Sequence, residues 1–296
     1  MAVDRIEIAD LLAQRFAARG LDLSSRRRVL TELSGPRLSG FRGRGMEFEE
    51  HRRYVAGDEV RSIDWRVTAR TGVPHVRGYR EERERPVLLA VDLRAPMWFG
   101  TRGCFKAVQA ARAAAGLAWA ATANGDRIGA LVFGADHREL RPAGGRRGVM
   151  RLIQALAAEP PSGPGMSLAT ASLELRRLAR PGALLILLSD LHDLDEPARQ
   201  NLQLTTRHCE LVIGMVSDPL ERRAPPPGRY PLWREGLDEP AVLDTRDPAL
   251  ARDWTARYEQ RLAGAQAATR ACRAHWLALG TETPVADALT RGFGRR

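Results

Sequence analysis

The chain has 296 residues, 44% of them hydrophobic, which is enough for a substantial core and excludes disorder as the default state. Its formal net charge is +10, but its arginines alternate with acids and form no clean stripe, which argues against nucleic acid as a partner. Lys106 is the only lysine among 46 basic residues, a bias that reads as coding background and not as a phosphate-binding surface.

Cys104, Cys209 and Cys272 are scattered and form no CxxC pair, the pattern of reduced thiols in a reducing compartment. The opening MAVDRIEIADLLAQRF places acids where a signal peptide needs an apolar run. The longest apolar stretches, such as ALLILL, fall far short of the roughly 20 residues that span a bilayer. A soluble, cytoplasmic protein without a transmembrane segment is expected.

In chain order, Ile6 to Arg19 reads as an amphipathic helix, with Ile8, Leu11, Leu12 and Phe16 on one face. MEFEEHRRYV alternates Met46, Phe48 and Tyr54 with charged residues, the period of a strand with one wet face. Gly57 suits a sharp corner, and Asp58 is placed to cap a short helix carrying Val60, Ile63 and Val67. Gly72 and Pro74 would end that helix.

From Pro86 the pattern changes. PVLLAVD, DRIGALVFG, ALLILLSD and CELVIGMVSD read as strands buried on both faces, and HRELRP as an edge strand. Between them lie helix-length segments, including Phe105–Asn124 and the long DPALARDWTARYEQRLAGAQAATRACRA. HWLALGTETPVADALTRGF closes the chain with a strand and a helix. Strands alternating with helices predict an α/β, doubly wound, mostly parallel sheet. The proline-rich RAPPPGRYPLWREGLDEPAVLDT reads as a surface hairpin inserted near residues 224–245.

Ligands of such sheets gather beyond the carboxyl ends of the strands, where Asp92, Asp190 and Asp218 fall. Two such carboxylates can hold Mg²⁺ with water completing the shell; acids at strand ends also serve simply as caps and turn residues. No phosphate loop, dinucleotide fingerprint, GxSxG elbow or HExxH pair is present. Ser189, Asp190 and His192 are neighbours in one loop, which does not make a hydrolytic set.

RRYVAGDEVRSIDWRVTAR, followed by the charged YREERER and a strand ending in Asp92, resembles the signature of the domain-of-unknown-function family 58. The pieces that carry the likeness are Arg53-Tyr54, Gly57-Asp58, Arg61, Ile63-Asp64-Trp65 and Ala69-Arg70. SDPLERRAPPPG and LALGTETPVADALTRGF are similar to the family's later pattern, so the resemblance covers nearly the whole chain.

The resemblance implies a von Willebrand factor type A-like domain over residues 86–296, with an N-terminal helix and charged collar over residues 1–85 packed on it. It implies a non-enzymatic adaptor that acts with a MoxR-type AAA+ ATPase on a client protein, in maturation or complex assembly. A metal-ion-dependent binding module of the ordinary type A kind is the alternative, followed by nucleic-acid binding. Many members carry transmembrane helices ahead of the motif, where this chain starts with an amphipathic helix.

The type A fold normally holds an ion through Asp-x-Ser-x-Ser, a Thr and a distant Asp. Here Arg94 and Pro96 stand at the hydroxyl positions after Asp92, Met166 stands at the Thr position beside Ser167, and Asp190 remains. The expected site is therefore a degenerate rim of Asp92, Arg94, Met166, Ser167 and Asp190 that contacts a partner without a metal, Mg²⁺ being the one cofactor left open. Arg94 is expected to pair with Asp92 or Asp190. In the collar, Arg53, Arg61 and Arg70 are expected to pair with Asp58, Asp64 and the acids of YREERER, with Trp65 buried as an anchor. The motif set of Arg53, Tyr54, Gly57, Asp58, Arg61, Asp64, Trp65 and Arg70 either braces the domain or faces a partner.

Overall fold

The computed structural model describes residues 3–23, 46–55, 63–81, 85–134, 136–157, 165–232 and 241–294. They fall into two compact units, Met1–Arg26 with Arg85–Arg296, and Arg27–Glu84. The N-terminal helix α1 (Ile8–Ala13) thus belongs with the main unit and not with the motif segment. It is shorter than the periodicity predicts: Leu11 is its buried residue, whereas Ile8 and Phe16 are exposed.

The described part of the smaller unit is a two-stranded ribbon with one short helix. Strand β1 (Met46–Arg53) pairs antiparallel with β2 (His75–Glu81), with an irregularity between Phe48 and Glu50. Helix α2 (Trp65–Thr71) lies between them in sequence. Asp64 caps it, its Oδ1 accepting from the amides of Arg66 and Val67 at 3.0 and 3.3 Å. Gly72 closes it at φ 70°. Gly57, Asp58 and Arg61 lie outside the described residues.

One expectation for this segment fails. Trp65 is 66% exposed and anchors no core. It occupies the first position of a short helix that buries no residue, and a two-stranded ribbon has too little apolar surface to enclose an indole. Arg70 is exposed and makes no ion pair among the described residues; of its expected partners, Asp58, Glu82 and Glu84 lie outside them. The buried member of the motif is Asp64, 6% exposed. Tyr54 is half-buried, and its amide donates to Pro74 O at 2.8 Å.

In the main unit, apolar segments become the sheet. Its strands are β3 (Pro86–Asp92), β4 (Arg127–Phe133), β5 (His137–Ala143), β6 (Leu184–Ser189), β7 (Glu210–Ser217) and, after the small hairpin β8 (Arg229–Leu232) and β9 (Ala241–Asp244), β10 (His275–Gly280). The order is β10-β7-β6-β3-β4-β5, parallel throughout except for β5. The charged HRELRPA sequence of β5 suits an edge, where its outward side chains discourage further pairing.

Because side chains alternate along a strand, each buried strand feeds two cores. Val87, Leu89 and Val91 of β3, with Leu184, Ile186 and Leu188 of β6, face one; Leu88, Ala90, Leu185 and Leu187 face the other. The first face is covered by α1, α3 (Lys106–Ala123), α4 (Gly145–Leu156) and α9 (Val285–Phe293). The second is covered by α5 (Leu168–Leu178), α6 (Glu196–Thr205) and part of α8 (Pro248–Ala271). The short α7 (Pro219–Arg222) follows β7.

Helix α3 is buried nearly all round, and its alanines let neighbours approach closely. Ala114→Leu, at a fully buried position, is expected to overpack this core and cost about 1–3 kcal/mol. An unchanged unfolding midpoint in denaturant would show that α3 has slack around it.

Candidate functional site

The order of the strands reverses between β3 and β6, so the space beyond their carboxyl ends is the switch point of the sheet. Asp92 ends β3 and is fully buried. Ser189 ends β6, followed by Asp190, 2% exposed. Asp218, also fully buried, follows β7 and caps α7.

Arg94 curls back over Asp92. Its Nε donates to Asp92 Oδ1 at 3.0 Å and its Nη2 to Asp92 Oδ2 at 2.7 Å, a bidentate pair. The far side of the same guanidinium meets Asp193, with Nη2 to Oδ1 at 2.9 Å and Nη1 to Oδ2 at 2.7 Å. Nη1 also donates to the carbonyl of Met166 at 3.3 Å. All five N–H groups of a guanidinium are thereby used.

Two glycines let these loops meet. A Cβ on Gly165, which sits at φ +67°, would come within 2.2 Å of Gly134 O and 3.1 Å of Arg94 Cγ. Met166, next in the chain, contributes its carbonyl and not its side chain. Ser167 is exposed and caps α5, accepting from the amide of Thr170 at 3.1 Å. The predicted rim residues Asp92, Arg94 and Met166 thus meet directly, while Ser167 stays at the helix start.

Asp190 pairs with Lys106 and not with Arg94. The Lys106 ammonium, 2% exposed at the first turn of α3, donates to Asp190 Oδ2 at 2.7 Å and to Glu221 Oε1 at 2.8 Å. Glu221 belongs to the capping box of α7 and also meets Arg261 Nη2 at 3.4 Å. Asp190 Oδ1 accepts from the amide of His192 at 3.1 Å. Ser189 Oγ donates to Asp92 Oδ2 at 2.7 Å and accepts from the amide of Leu191, so it is directed away from His192.

Sequence reasoning missed Lys106, Asp193 and Glu221. One signal was present: a lone lysine in an arginine-rich chain marks a position where arginine does not fit. Asp218 is handled without a cation, accepting from the amide and hydroxyl of Thr101 at 2.8 and 2.6 Å and from Thr281 Oγ1 at 2.7 Å.

Burial pushes the Asp92 carboxyl up, aided by the charge of Asp190 and opposed by the bonds from Arg94 and Ser189. Burial works in the same direction at Asp190 and Asp193, but there the partners win. The Lys106 ammonium holds Asp190 below the usual range, and Arg94 with the amide of Leu168 does so for Asp193. Burial disfavours the charge of Arg94, yet Asp92 and Asp193 hold it above its ordinary value.

The ion that the resemblance to type A domains implies does not suit this donor set. Each oxygen of Asp92, Asp190 and Asp193 already accepts a hydrogen bond. A guanidinium and an ammonium supply the positive charge, and no first-loop hydroxyl follows Asp92. Among the described residues, no group of three or more His, Cys, Asp or Glu has the geometry to hold a metal ion.

The family described as "Protein of unknown function DUF58" matches residues 50–263. The chain is 33% identical over 270 residues to the uncharacterized proteins Mb1516 of Mycobacterium bovis and Rv1480 of Mycobacterium tuberculosis, covering 90% of this chain and 84% of each relative. Among solved structures, the aerotolerance-related membrane protein of Bacteroides fragilis matches with TM-score 0.45 and 13% identity, covering 70% of this chain and 98% of that one. The von Willebrand factor type A protein of Catenulispora acidiphila matches with TM-score 0.35 and 13% identity, covering 63% and 44%.

Lys106→Met is expected to cost about 3–5 kcal/mol, since it strands the buried Asp190 and takes from half-buried Glu221 its nearer cation. Adding Asp190→Asn should recover part of that loss. Asp190 and Asp193 have folded-state values below their unfolded ones. The stability they contribute is therefore present above about pH 4 and lost as the pH falls through the lower, folded values. Asp92, shifted the other way, works against this trend. Chemical denaturation from about pH 6 down to about 3 should show the gap between wild type and Asp190→Asn narrowing. A constant gap would mean that Asp190 is not ionised.

Proposed function

Starting from a chain that belongs to the DUF58 family, we propose a non-enzymatic binding and adaptor protein that works in the cytoplasm with a MoxR-type AAA+ ATPase, in protein maturation or complex assembly. The reading is carried by the saturation of the switch point. Arg94 spends every N–H on Asp92, Asp193 and Met166, and Lys106 joins Asp190 to Glu221. Such a rim keeps no uncommitted carboxylate for proton transfer and no open coordination position. What it offers a partner is a fixed shape.

Buried Asp92 and Asp190 shape that surface without touching the partner; exposed Ala95, Pro96, Ser167 and His192 are the residues in reach. The signature motif supplies a second contact. Trp65 stands exposed beside exposed Arg66 and Arg70, the residue types that most often anchor interfaces.

The test is capture of the MoxR-type ATPase from the native host on the immobilised chain. Equal capture with and without a divalent-ion chelator is expected, because chelation removes neither Arg94 nor Lys106. Trp65→Ala should weaken capture by a hot-spot margin of about 2 kcal/mol. Capture abolished by the chelator would establish the metal-dependent reading instead, and failure to capture any AAA+ ATPase would refute the partnership.

A further inference from the structure

Helix α8 runs over 24 residues, yet only Ala265, Ala268 and Thr269 are buried. Its last turns pack on the sheet, and its first half stands at the carboxyl rim, where the Trp254 indole N–H donates to Leu220 O at 2.7 Å. The stripe Leu250, Trp254, Tyr258, Arg261, Ala265 follows helical spacing. It forms one wall of a trough of about 800 Å³, which Leu194 and Leu243 also line. From Leu250 to Ala265 the wall is about 22 Å long at the rise of an α-helix. That length suits about seven residues of extended peptide better than a compact small molecule.

The charge of the trough is lopsided. Arg199, Arg257 and Arg261 line it, with His192. The side chains of Arg199 and Arg257 make no ion pair or hydrogen bond among the described residues. The Nε atoms of Arg199 and Arg261 are both buried without a hydrogen-bond partner there, an uncommon state for a guanidinium donor. Of the two acids in the lining, Glu221 is committed to Lys106 and Arg261, leaving only Asp253. Arg261 also lies over the Tyr258 ring at 5.5 Å, which fixes it beside the apolar wall.

We propose that this trough docks an acidic peptide segment of a partner protein, its carboxylates meeting Arg199, Arg257 and Arg261 and a large apolar side chain lying against Trp254 and Tyr258. The proposal rests on the reading of this chain as a protein-binding module and adds the chemistry of what is bound. Arginine serves this task because its fork receives a carboxylate bidentately, with little ordering cost per bond. The aromatic pair supplies the apolar contact that separates this ligand from a free anion.

The test pans a random heptapeptide library over the immobilised full-length chain and measures binding of synthetic copies of the enriched sequences. Peptides in which Asp or Glu adjoins Leu, Phe or Trp are expected, with affinity falling as salt rises. Arg199→Glu and the exposed Arg257→Glu should each weaken them at least tenfold while leaving the unfolding midpoint unchanged. Arg257→Glu carries the test by itself if Arg199→Glu does not fold.

Enrichment of neutral or basic peptides, no enrichment at all, or affinity untouched by both reversals would overturn the proposal. A dimer in sedimentation that Arg257→Glu dissolves would overturn it too, by making a second copy the occupant. An AAA+ ATPase captured by the wild type while no acidic peptide is enriched would sink the trough and leave the adaptor reading standing. Acidic peptides that bind while no such ATPase is captured would do the reverse.

Discussion

The structure turns on the need to neutralise acids buried at the carboxyl edge of the sheet. A carboxylate removed from water is tolerated only when it is paired and hydrogen-bonded. Asp92 has no exposure at all, so the chain that leaves β3 must bring a cation back to it within two residues. Arg94 does so, and in reaching Asp193 and the Met166 carbonyl it ties three loops together. Removing one partner of such a pair is far costlier than replacing the whole set by apolar residues. The network is therefore better understood as specifying the shape of the rim than as adding net stability.

Neighbouring acids are handled by different chemistry, and the differences follow geometry. Arg94 meets two carboxylates along two edges of its plane, a task for a flat fork with five donors. Lys106 reaches Asp190 and Glu221 from the first turn of α3, in a space closed to 2% exposure, where a compact ammonium serves better. Asp218 needs no cation because two threonine hydroxyls and two amides converge on it. Threonine hydroxyls thus serve the end of β7, while the one hydroxyl on Asp92 comes from Ser189 at the end of β6.

How much of this was legible in the sequence depended on the range of the interaction. Buried strands announce themselves through runs such as PVLLAVD and ALLILL, since both faces are apolar. The Arg94–Asp92 pair is local and could be anticipated from the residues alone. The Lys106–Asp190 and Arg94–Asp193 pairs join residues 84 and 99 apart, and no period or motif encodes such closure. In the charged segment, the expectation that an aromatic must be buried failed for Trp65. Asp64, expected as an ion-pair partner, caps α2, a role its residue type also allows.

Glu221 links the buried network to the surface. Its Oε1 lies 2.8 Å from Lys106 Nζ and 3.4 Å from Arg261 Nη2, so one oxygen is shared between an interior cation and one that lines the trough. The longer contact is the weaker. A carboxylate arriving at Arg261 would compete with Glu221 for that guanidinium and leave Lys106 as the main counter-charge of Glu221. The Lys106–Glu221–Asp190 cluster would then tighten around the ammonium, because the same positive charge would have fewer rivals for its two acids. A carboxylate bound in the trough would thereby act through this one oxygen on Lys106 and Asp190, while His192, which lines the trough itself, would be met directly.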